Sequence, residues 1–203
     1  MTDLEQRLHD APPEPYLDRG RLGAALAQRA SEARLLDVAY ASIDSPLGEL
    51  TVFVTQRGLL RVAYDNEAGE AVMREVAEHV SPRILRAAKR TDEARRQLDG
   101  YFASNRRTFD LPIDWSLVHG FARDVLWATA GVPFGQVTTY GSMARAAGSP
   151  RAARAAGNAL GSNPIPIVLP CHRVLHADGT LGGYSGGLDR KRILLALEGS
   201  LPR

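Results

Sequence analysis

Cysteine is almost absent from this sequence of 203 residues, in which Cys171 is the single example. One cysteine excludes an internal disulfide framework and a cysteine-rich zinc site. A lone thiol is typical of the reducing cytosol, so we expect a cytoplasmic protein. The sequence also lacks a run of about 18 apolar residues, the length that a membrane helix requires. Residues 1–15 are acidic and polar without an apolar core, which argues against a secretory signal.

Lysine is nearly absent as well, since only Lys89 and Lys191 among the 25 basic residues are lysines. The formal net charge of +2 is unevenly distributed along the chain. Residues 116–203 contain nine basic and four acidic residues, a net charge of +5, whereas residues 1–115 have a net charge of −3. A basic C-terminal half favours a polyanionic partner, although a solvated arginine-rich surface explains the same count.

The first half of the chain is predicted to contain an extension followed by a small domain. Residues 1–37 are the extension, in which residues 11–20 are too rich in proline and charge to form one regular element. Residues 21–36 are rich in alanine and arginine and favour a helix.

A mixed α/β domain is predicted for residues 38–112. Alternating apolar residues indicate strands, and apolar residues at helical spacing indicate helices. The predicted elements are a strand at 38–43, two strands within 45–65 joined by a turn at 56–58, helices at 68–80 and 92–102, a short strand or helix at 84–91, and a strand at 107–113.

Residues 113–203 are predicted to form a mainly helical domain. Helices are expected at 118–129 and 140–147, and a third helix is expected to end at residue 161 with Ser149 as its N-cap and Pro150 in its first turn. Two helices joined by a tight turn have the helix-turn-helix arrangement. Because many helix pairs are joined in this way, the arrangement alone is a weak signal. The third helix is almost entirely small residues and carries Arg154. It either packs closely against a neighbour or enters a narrow groove, and its sequence does not decide between the two.

A candidate nucleophile follows. Residues 165–169 are predicted to be a short buried strand, with Cys171 just after its end at Pro170. A free cysteine is most often a small buried hydrophobic residue. Here the neighbours His172 and Arg173 are expected to favour the thiolate. The glycine-rich stretch that comes next offers backbone amides for an oxygen atom. Together these features favour a reactive thiol.

The string at residues 170–174, Pro-Cys-His-Arg-Val, resembles the active-site motif of the O6-alkylguanine-DNA alkyltransferases, also called methylated-DNA–protein-cysteine methyltransferases. The resemblance includes Tyr140, Arg154 and Asn163 before the cysteine and two further strings after it, Gly-Tyr-Ser-Gly-Gly-Leu at 183–188 and Leu-Ala-Leu-Glu-Gly at 195–199. It is strong over residues 118–199 and weaker over residues 45–64.

The resemblance implies an α+β protein: a small N-terminal sheet-and-helix domain of ribonuclease-H-like type, and a C-terminal winged helix-turn-helix domain. It implies DNA repair by irreversible, single-turnover transfer of an alkyl group from O6-alkylguanine, and from O4-alkylthymine, in duplex DNA to Cys171. No cofactor is implied, because the lesion carries the transferred group. The implied partner is double-stranded DNA containing O6-alkylguanine. The chain is expected to be a monomer in solution, with cooperative binding on DNA left open.

The resemblance also assigns catalytic roles. Cys171 is the alkyl acceptor, His172 is its base through a water molecule, and Glu198 orients and stabilises the imidazole. Asn163 would join the helix-turn-helix to the active-site segment, although an asparagine beside Pro164 is equally typical of an ordinary turn.

For the substrate base, Tyr140 would donate a hydrogen bond to a ring nitrogen and the Ser185 amide to O6. The Val174 carbonyl would accept from the exocyclic amine. Tyr184 and Leu160 would form the walls of the base pocket. Without the resemblance, a cap on the glycine loop explains Tyr184 equally well. Packing in the helix core explains Leu160 equally well.

DNA contacts are implied for three basic residues. The target base must leave the stack, and Arg154 would fill the gap from the minor groove. Arg151 and Lys191 would contact phosphates or support the site. Gly161 replaces an arginine found in some relatives, and the cysteines of their N-terminal metal site are missing here, so no structural zinc is expected.

Two other functions remain open at this point. A non-catalytic sensor of alkylated DNA would not need Cys171 together with His172 and Glu198. A Cys-His-Glu hydrolase would turn over many times, but nothing else in the sequence indicates a peptide or ester cleft.

Overall fold

A four-stranded sheet forms the centre of the first half of the chain. The computed structural model describes residues 19–33 and 35–201. The strands are β1 (Val38–Ile43), β2 (Leu50–Val54), β3 (Leu59–Tyr64) and β4 (Ile84–Arg86), in the order β3-β2-β1-β4. Strands β1, β2 and β3 are antiparallel neighbours, and β4 runs parallel to β1. The sheet has a separate core on each face, because apolar residues occupy both faces of its central strands.

Three helices accompany this sheet: α1 (Arg19–Glu32), α2 (Gly69–His79) and α3 (Ala88–Phe102). Helix α2 buries Val72 and Val76 against the face that presents Phe53. Helix α3 covers the opposite face with Leu98 and Tyr101, two residues at helical spacing. This second core continues into the C-terminal half, so the two halves are packed together.

The described residues of the second half form four α-helices and one short parallel strand pair. The helices are α4 (Gly120–Ala130), α5 (Tyr140–Ala146), α6 (Ala153–Gly161) and α7 (Leu188–Leu197), and the strands are β5 (Thr138–Thr139) and β6 (Val174–Leu175). Helices α5 and α6 pack together and against α4, which places the predicted helix pair next to a supporting helix. The predicted α+β class is confirmed. Among the described residues, no helix has the length and apolar character needed to cross a membrane.

Two predicted strands are wrong. Residues 107–113 form a loop that touches β3 through a single bridge between Leu59 and Ile113. Residues 164–169 form tight turns in which the Leu169 N–H donates to the Ile165 carbonyl at 2.9 Å. Pro112 lacks the N–H that a ladder requires, and so do the two prolines that flank Ile165.

Several helix boundaries differ from the predicted ones. Helix α6 begins at Ala153, because residues 149–152 form a turn in which the Ala152 N–H donates to the Ser149 carbonyl at 2.9 Å. The prediction of Ser149 as N-cap and Pro150 as first helical residue is therefore wrong, and both serve the turn instead. Helix α3 begins at Ala88, earlier than predicted, and α1 covers Arg19–Glu32 rather than 21–36. The proline-rich stretch at 11–18 lies outside the described residues.

Candidate active site

The cysteine lies in one turn of 3₁₀-helix, Cys171–Arg173, between the turns after α6 and strand β6. Its side chain is buried, with 4% of the residue exposed. Asn163, just after α6, donates from Nδ2 to the Cys171 Sγ at 3.2 Å and to the Leu169 carbonyl at 2.8 Å. Its Oδ1 accepts from the Ile165 N–H at 3.0 Å. Asn163 thus ties the end of the helix pair to the thiol.

The thiol is protonated in the resting protein. Burial raises the pKa of Cys171 to about 11, although the hydrogen bond from Asn163 and the positive charge of Lys191 lower it. The expectation that the neighbours His172 and Arg173 favour the thiolate is wrong for the resting protein, because burial prevails and the Arg173 guanidinium is paired with Glu198. A reaction at this sulfur therefore needs a base to remove the proton.

His172 is completely buried and is a suitable base. Its Nε2 lies 3.0 Å from the Glu198 Oε1. Because the carboxylate can only accept, Nε2 carries the ring proton and Nδ1 keeps the free lone pair. Among the described residues, that Nδ1 is buried without a hydrogen-bond partner. Burial, together with the positive charges of Arg173 and Lys191, lowers the pKa of His172 although Glu198 raises it, so the imidazole is neutral at physiological pH.

Glu198 has more partners than the sequence indicated. Arg173 donates to it from Nε at 2.9 Å and from Nη2 at 2.7 Å. The Tyr101 hydroxyl on α3 donates at 2.7 Å, and the Gly135 N–H donates at 3.3 Å. Burial alone would raise the pKa of Glu198, but the hydrogen bonds from His172 and Arg173 prevail and lower it to about 2.

Sequence reasoning missed both side-chain donors, Arg173 and Tyr101, for different reasons. Arg173 lies inside the recognised motif but was interpreted as a neighbour of the thiol. Tyr101 comes from the other half of the chain, and its position on the apolar face of a predicted helix gave no sign of a partner 97 residues away.

The low pKa of Glu198 makes stability depend on pH in acid. Because the folded-state pKa is about 2 and the ordinary value is 4.5, the carboxylate stabilises the fold fully above pH 4.5. This contribution is lost as the pH falls from 4.5 through about 2. We expect Glu198→Gln to flatten the pH dependence of the free energy of unfolding across this range. Urea titrations at several pH values test this, and parallel curves for the two proteins would contradict it.

A cavity of about 590 Å³ lies between α6 and the segment before α7, and its lining residue Tyr184 contacts the His172 ring of the cysteine turn. Predicted site residues Tyr140, Arg154, Tyr184 and Ser185 all line it. The remaining lining residues are Ala153, Gly157, Asn158, Gly161, His176 and Gly183. The structure therefore gathers four of the predicted base-contacting and DNA-contacting residues around one space.

Four other predicted base-contacting or DNA-contacting residues do not line this cavity. Leu160 is buried in the hydrophobic core and does not line the cavity, so the core role fits it better than the wall. Val174 is buried in β6, and its carbonyl accepts from the Lys191 Nζ at 2.7 Å. Lys191 is completely buried and also donates to the Gly182 carbonyl at 3.2 Å. Of its two predicted roles, this burial agrees with supporting the site and not with contacting a phosphate. Arg151 is exposed in the turn before α6.

Two cavity residues show how closely this wall is packed. The Tyr140 hydroxyl touches the backbone of Gly182 so closely that a Cβ there would lie 2.0 Å from it. Burial raises the pKa of Tyr140, so its hydroxyl keeps the proton and can donate. His176, which sequence reasoning did not select, places its ring 5.3 Å from the Tyr140 ring.

The fold and the site together define a class of protein: a two-part chain in which a buried cysteine, with a histidine and a glutamate, lies beside a helix-turn-helix. Two family models match the two halves. The 6-O-methylguanine DNA methyltransferase ribonuclease-like domain matches residues 38–115, and the DNA-binding domain of the same family matches residues 120–200.

Named relatives agree with this. The methylated-DNA–protein-cysteine methyltransferase of Mycolicibacterium paratuberculosis is 40% identical over 163 residues, which are 79% of this chain and 92% of the relative. The rat protein of that name is 37% identical, over 82% of this chain and 85% of its own. The chain belongs to the methylated-DNA–protein-cysteine methyltransferase family.

Solved structures show the same relationship. The O6-methylguanine methyltransferase of Mycobacterium tuberculosis superimposes with a TM-score of 0.69 at 36% identity, covering 82% of this chain and 95% of its own. The M. tuberculosis OGT protein in complex with DNA gives a TM-score of 0.67 at 36% identity, covering 80% of this chain and 93% of its own.

Proposed function

We propose that this protein repairs DNA by direct reversal, transferring the alkyl group of O6-alkylguanine in duplex DNA to Cys171. The observation that carries the proposal is the buried thiol held by Asn163 at the end of the helix pair, together with a cavity of the usual size of ligand sites whose lining residue Tyr184 contacts His172. A sulfur–carbon bond forms while the carbon–O6 bond breaks, and the electron pair of that bond goes to the guanine. The proton lost by the thiol ends on the guanine, so the products are a thioether and an intact base.

The proton path follows from the buried network. Because the pKa of Cys171 is about 11, the thiol loses its proton only to a nearby base. The free Nδ1 of His172 is the candidate, and a water molecule would connect it to the sulfur. The imidazolium that forms is stabilised by Glu198. Lys191 lowers the cost of the negative sulfur through its charge. All of these groups belong to the chain, and the proposal needs no cofactor.

Base recognition is proposed for the cavity. The Tyr140 hydroxyl and the Ser185 amide would donate to the leaving guanine, which stabilises the charge that develops on it. The Val174 carbonyl has a second lone pair besides the one used by Lys191, and it would accept from the exocyclic amine. Tyr184 would form one wall. O4-alkylthymine offers a similar alkyl ether and is a proposed second substrate.

DNA is expected to meet the exposed side of α6. Arg154 is exposed on this helix, lines the cavity and would fill the gap that the flipped base leaves. The small residues around it, such as Gly157 and Ala155, let the helix approach a narrow groove. Arg151 would contact a phosphate. We propose that the chain acts as a cytoplasmic monomer and that its affinity for lesion DNA comes from the cavity.

Replacing Arg154 with alanine is expected to slow repair of O6-methylguanine in a duplex by about 10-fold or more, since flipping a base costs a few kcal/mol. Reaction with the free base O6-benzylguanine should change little, because a free base needs no flipping. Single-turnover rates on both substrates check this. Equal losses on the two substrates would show that Arg154 has only a structural role.

The function itself is tested by the intact mass of the protein after incubation with a duplex containing O6-methylguanine. The expected gain is one methylene group per chain, located on Cys171 by peptide mapping, with no second turnover. A sensor of alkylated DNA would bind the duplex without a mass change. A hydrolase would also end without a lasting adduct, so either result overturns the proposal.

A further inference from the structure

A hydrogen bond between two tyrosines joins the N-terminal sheet to the wall of the cavity. Tyr64 is the last residue of β3, and its hydroxyl lies 2.6 Å from the hydroxyl of Tyr184. The rings meet edge to face with centroids 6.1 Å apart. Tyr184 lines the cavity and also contacts His172, with ring centroids 6.5 Å apart. A residue outside the DNA-binding half therefore touches a side chain proposed to contact the base.

Arg190, on α7, reinforces this connection. Its guanidinium lies over the Tyr64 ring at 4.9 Å from the centroid, an attractive cation–π geometry. Its Nε donates to the Leu47 carbonyl at 2.7 Å and its Nη1 to the Gly186 carbonyl at 3.0 Å. It also forms an ion pair with Asp65. One side chain thus binds the N-terminal half and the backbone that follows Tyr184.

Residues 183–187 are called the wall segment here. Its backbone packs directly on the tyrosine from the sheet, because a Cβ on Gly186 would lie 2.7 Å from the Tyr64 ring. Three of its five residues are glycine, which carries the largest conformational entropy of any residue when free. Without outside contacts this segment would lose much entropy on ordering around a base.

We propose that Tyr64 and Arg190 are positioning residues that hold Tyr184 and the wall segment in place before a base arrives, and so set the affinity of the cavity for the flipped base. The proposal rests on the proposed function. A tyrosine ring has only two side-chain torsions, so fixing its hydroxyl fixes the direction of the ring. Burial raises the pKa of both phenols, which keeps both hydroxyls neutral and able to share this bond. Preorganisation of this kind strengthens binding by removing the ordering cost.

The test uses the variant Tyr64→Phe, which removes only the hydroxyl and keeps the ring on Gly186. Affinity is measured in a Cys171→Ser background, where no transfer occurs, for matched duplexes with O6-methylguanine or guanine. We expect the preference for the lesion duplex to fall about three- to tenfold, the usual worth of one hydrogen bond. Affinity for the undamaged duplex should stay the same. Arg190→Met should lower the preference in the same direction.

The matched control is Arg57→Met. Arg57 also links distant segments, donating from Nε to Asp114 at 3.2 Å, but its side-chain partners Asp114 and Ser116 lie outside the wall segment. Its lesion preference should equal that of the parent protein. In the Cys171-containing protein, Tyr64→Phe should leave the transfer rate at saturating duplex within about twofold.

The outcomes separate the two proposals. Failure of the unsubstituted protein to take up a methyl group overturns the proposed function. If it does take up the methyl group and Tyr64→Phe keeps the full lesion preference, the positioning role alone is overturned. A loss of affinity for both duplexes alike, together with a lowered melting temperature, would also overturn it, because general loosening of the fold would then explain the effect.

Discussion

Replacing Cys171 with serine is expected to abolish methyl transfer and to leave DNA affinity nearly unchanged. Serine is close to cysteine in volume, and its oxygen can accept the hydrogen bond from Asn163 that the sulfur accepts now. A serine hydroxyl is far less acidic than a thiol, and a neutral imidazole such as His172 cannot ionise it to a useful extent. Intact mass and gel-shift titration on the same lesion duplex measure the two properties separately.

A suitable control for this experiment is the melting temperature of the two proteins, which should agree closely because the exchange is nearly isosteric. Methyl uptake by the serine variant would place the acceptor on another residue and would contradict the assignment of Cys171. Loss of DNA binding together with transfer would show that the thiol supports the fold of the helix pair.

Replacing Arg173 with methionine is expected to cause the largest loss of stability of any single substitution considered. The guanidinium is buried and pairs with the buried carboxylate of Glu198, so its removal leaves that charge without a cation. The Val132 carbonyl also loses its donor, now at 2.5 Å. Breaking one partner of a buried pair costs about 3–5 kcal/mol. For a chain of this size the melting temperature should fall by roughly 6–20 °C.

Arg57→Met is again the control, because the Arg57 side chain is 68% exposed and its partner Asp114 keeps other donors. Its cost should stay within about 1 kcal/mol. Adding Glu198→Gln to the Arg173 variant should restore part of the lost stability, since no unpaired buried charge remains. Equal melting temperatures for the Arg57 and Arg173 variants would show that the buried pair contributes little.

Much of the site was predictable because its chemistry is local in sequence. Cys171 and His172 are adjacent, and the spacing to Asn163 and Glu198 belongs to recognisable strings. The structure joins these four side chains in two hydrogen-bonded pairs, Asn163 with Cys171 and His172 with Glu198. The fold class followed from the same resemblance and from the alternation and helical spacing of apolar residues.

What sequence reasoning missed depends on contacts between distant segments. The hydroxyls of Tyr64 and Tyr101 meet partners 120 and 97 residues away, and a tyrosine in an apolar pattern is typical of any core. The apolar residues around Ile167 were correctly expected to be buried. Burial does not distinguish a strand from a tight turn, and here the neighbouring prolines favour the turn. The protonation state of the thiol depends on burial, which adjacent residues do not reveal.

The protonated state of the resting thiol has a consequence for how long the protein remains usable. Oxidants and stray electrophiles react with thiolates much faster than with thiols, and exposed thiolates are lost first. Cys171 is hidden from solvent, and its pKa of about 11 leaves almost no thiolate at neutral pH. A protein whose reactive sulfur is used in a single reaction remains active for longer when that sulfur is shielded from other reagents. Under the proposed function, the sulfur stays reduced and unmodified until bound DNA delivers the alkyl carbon.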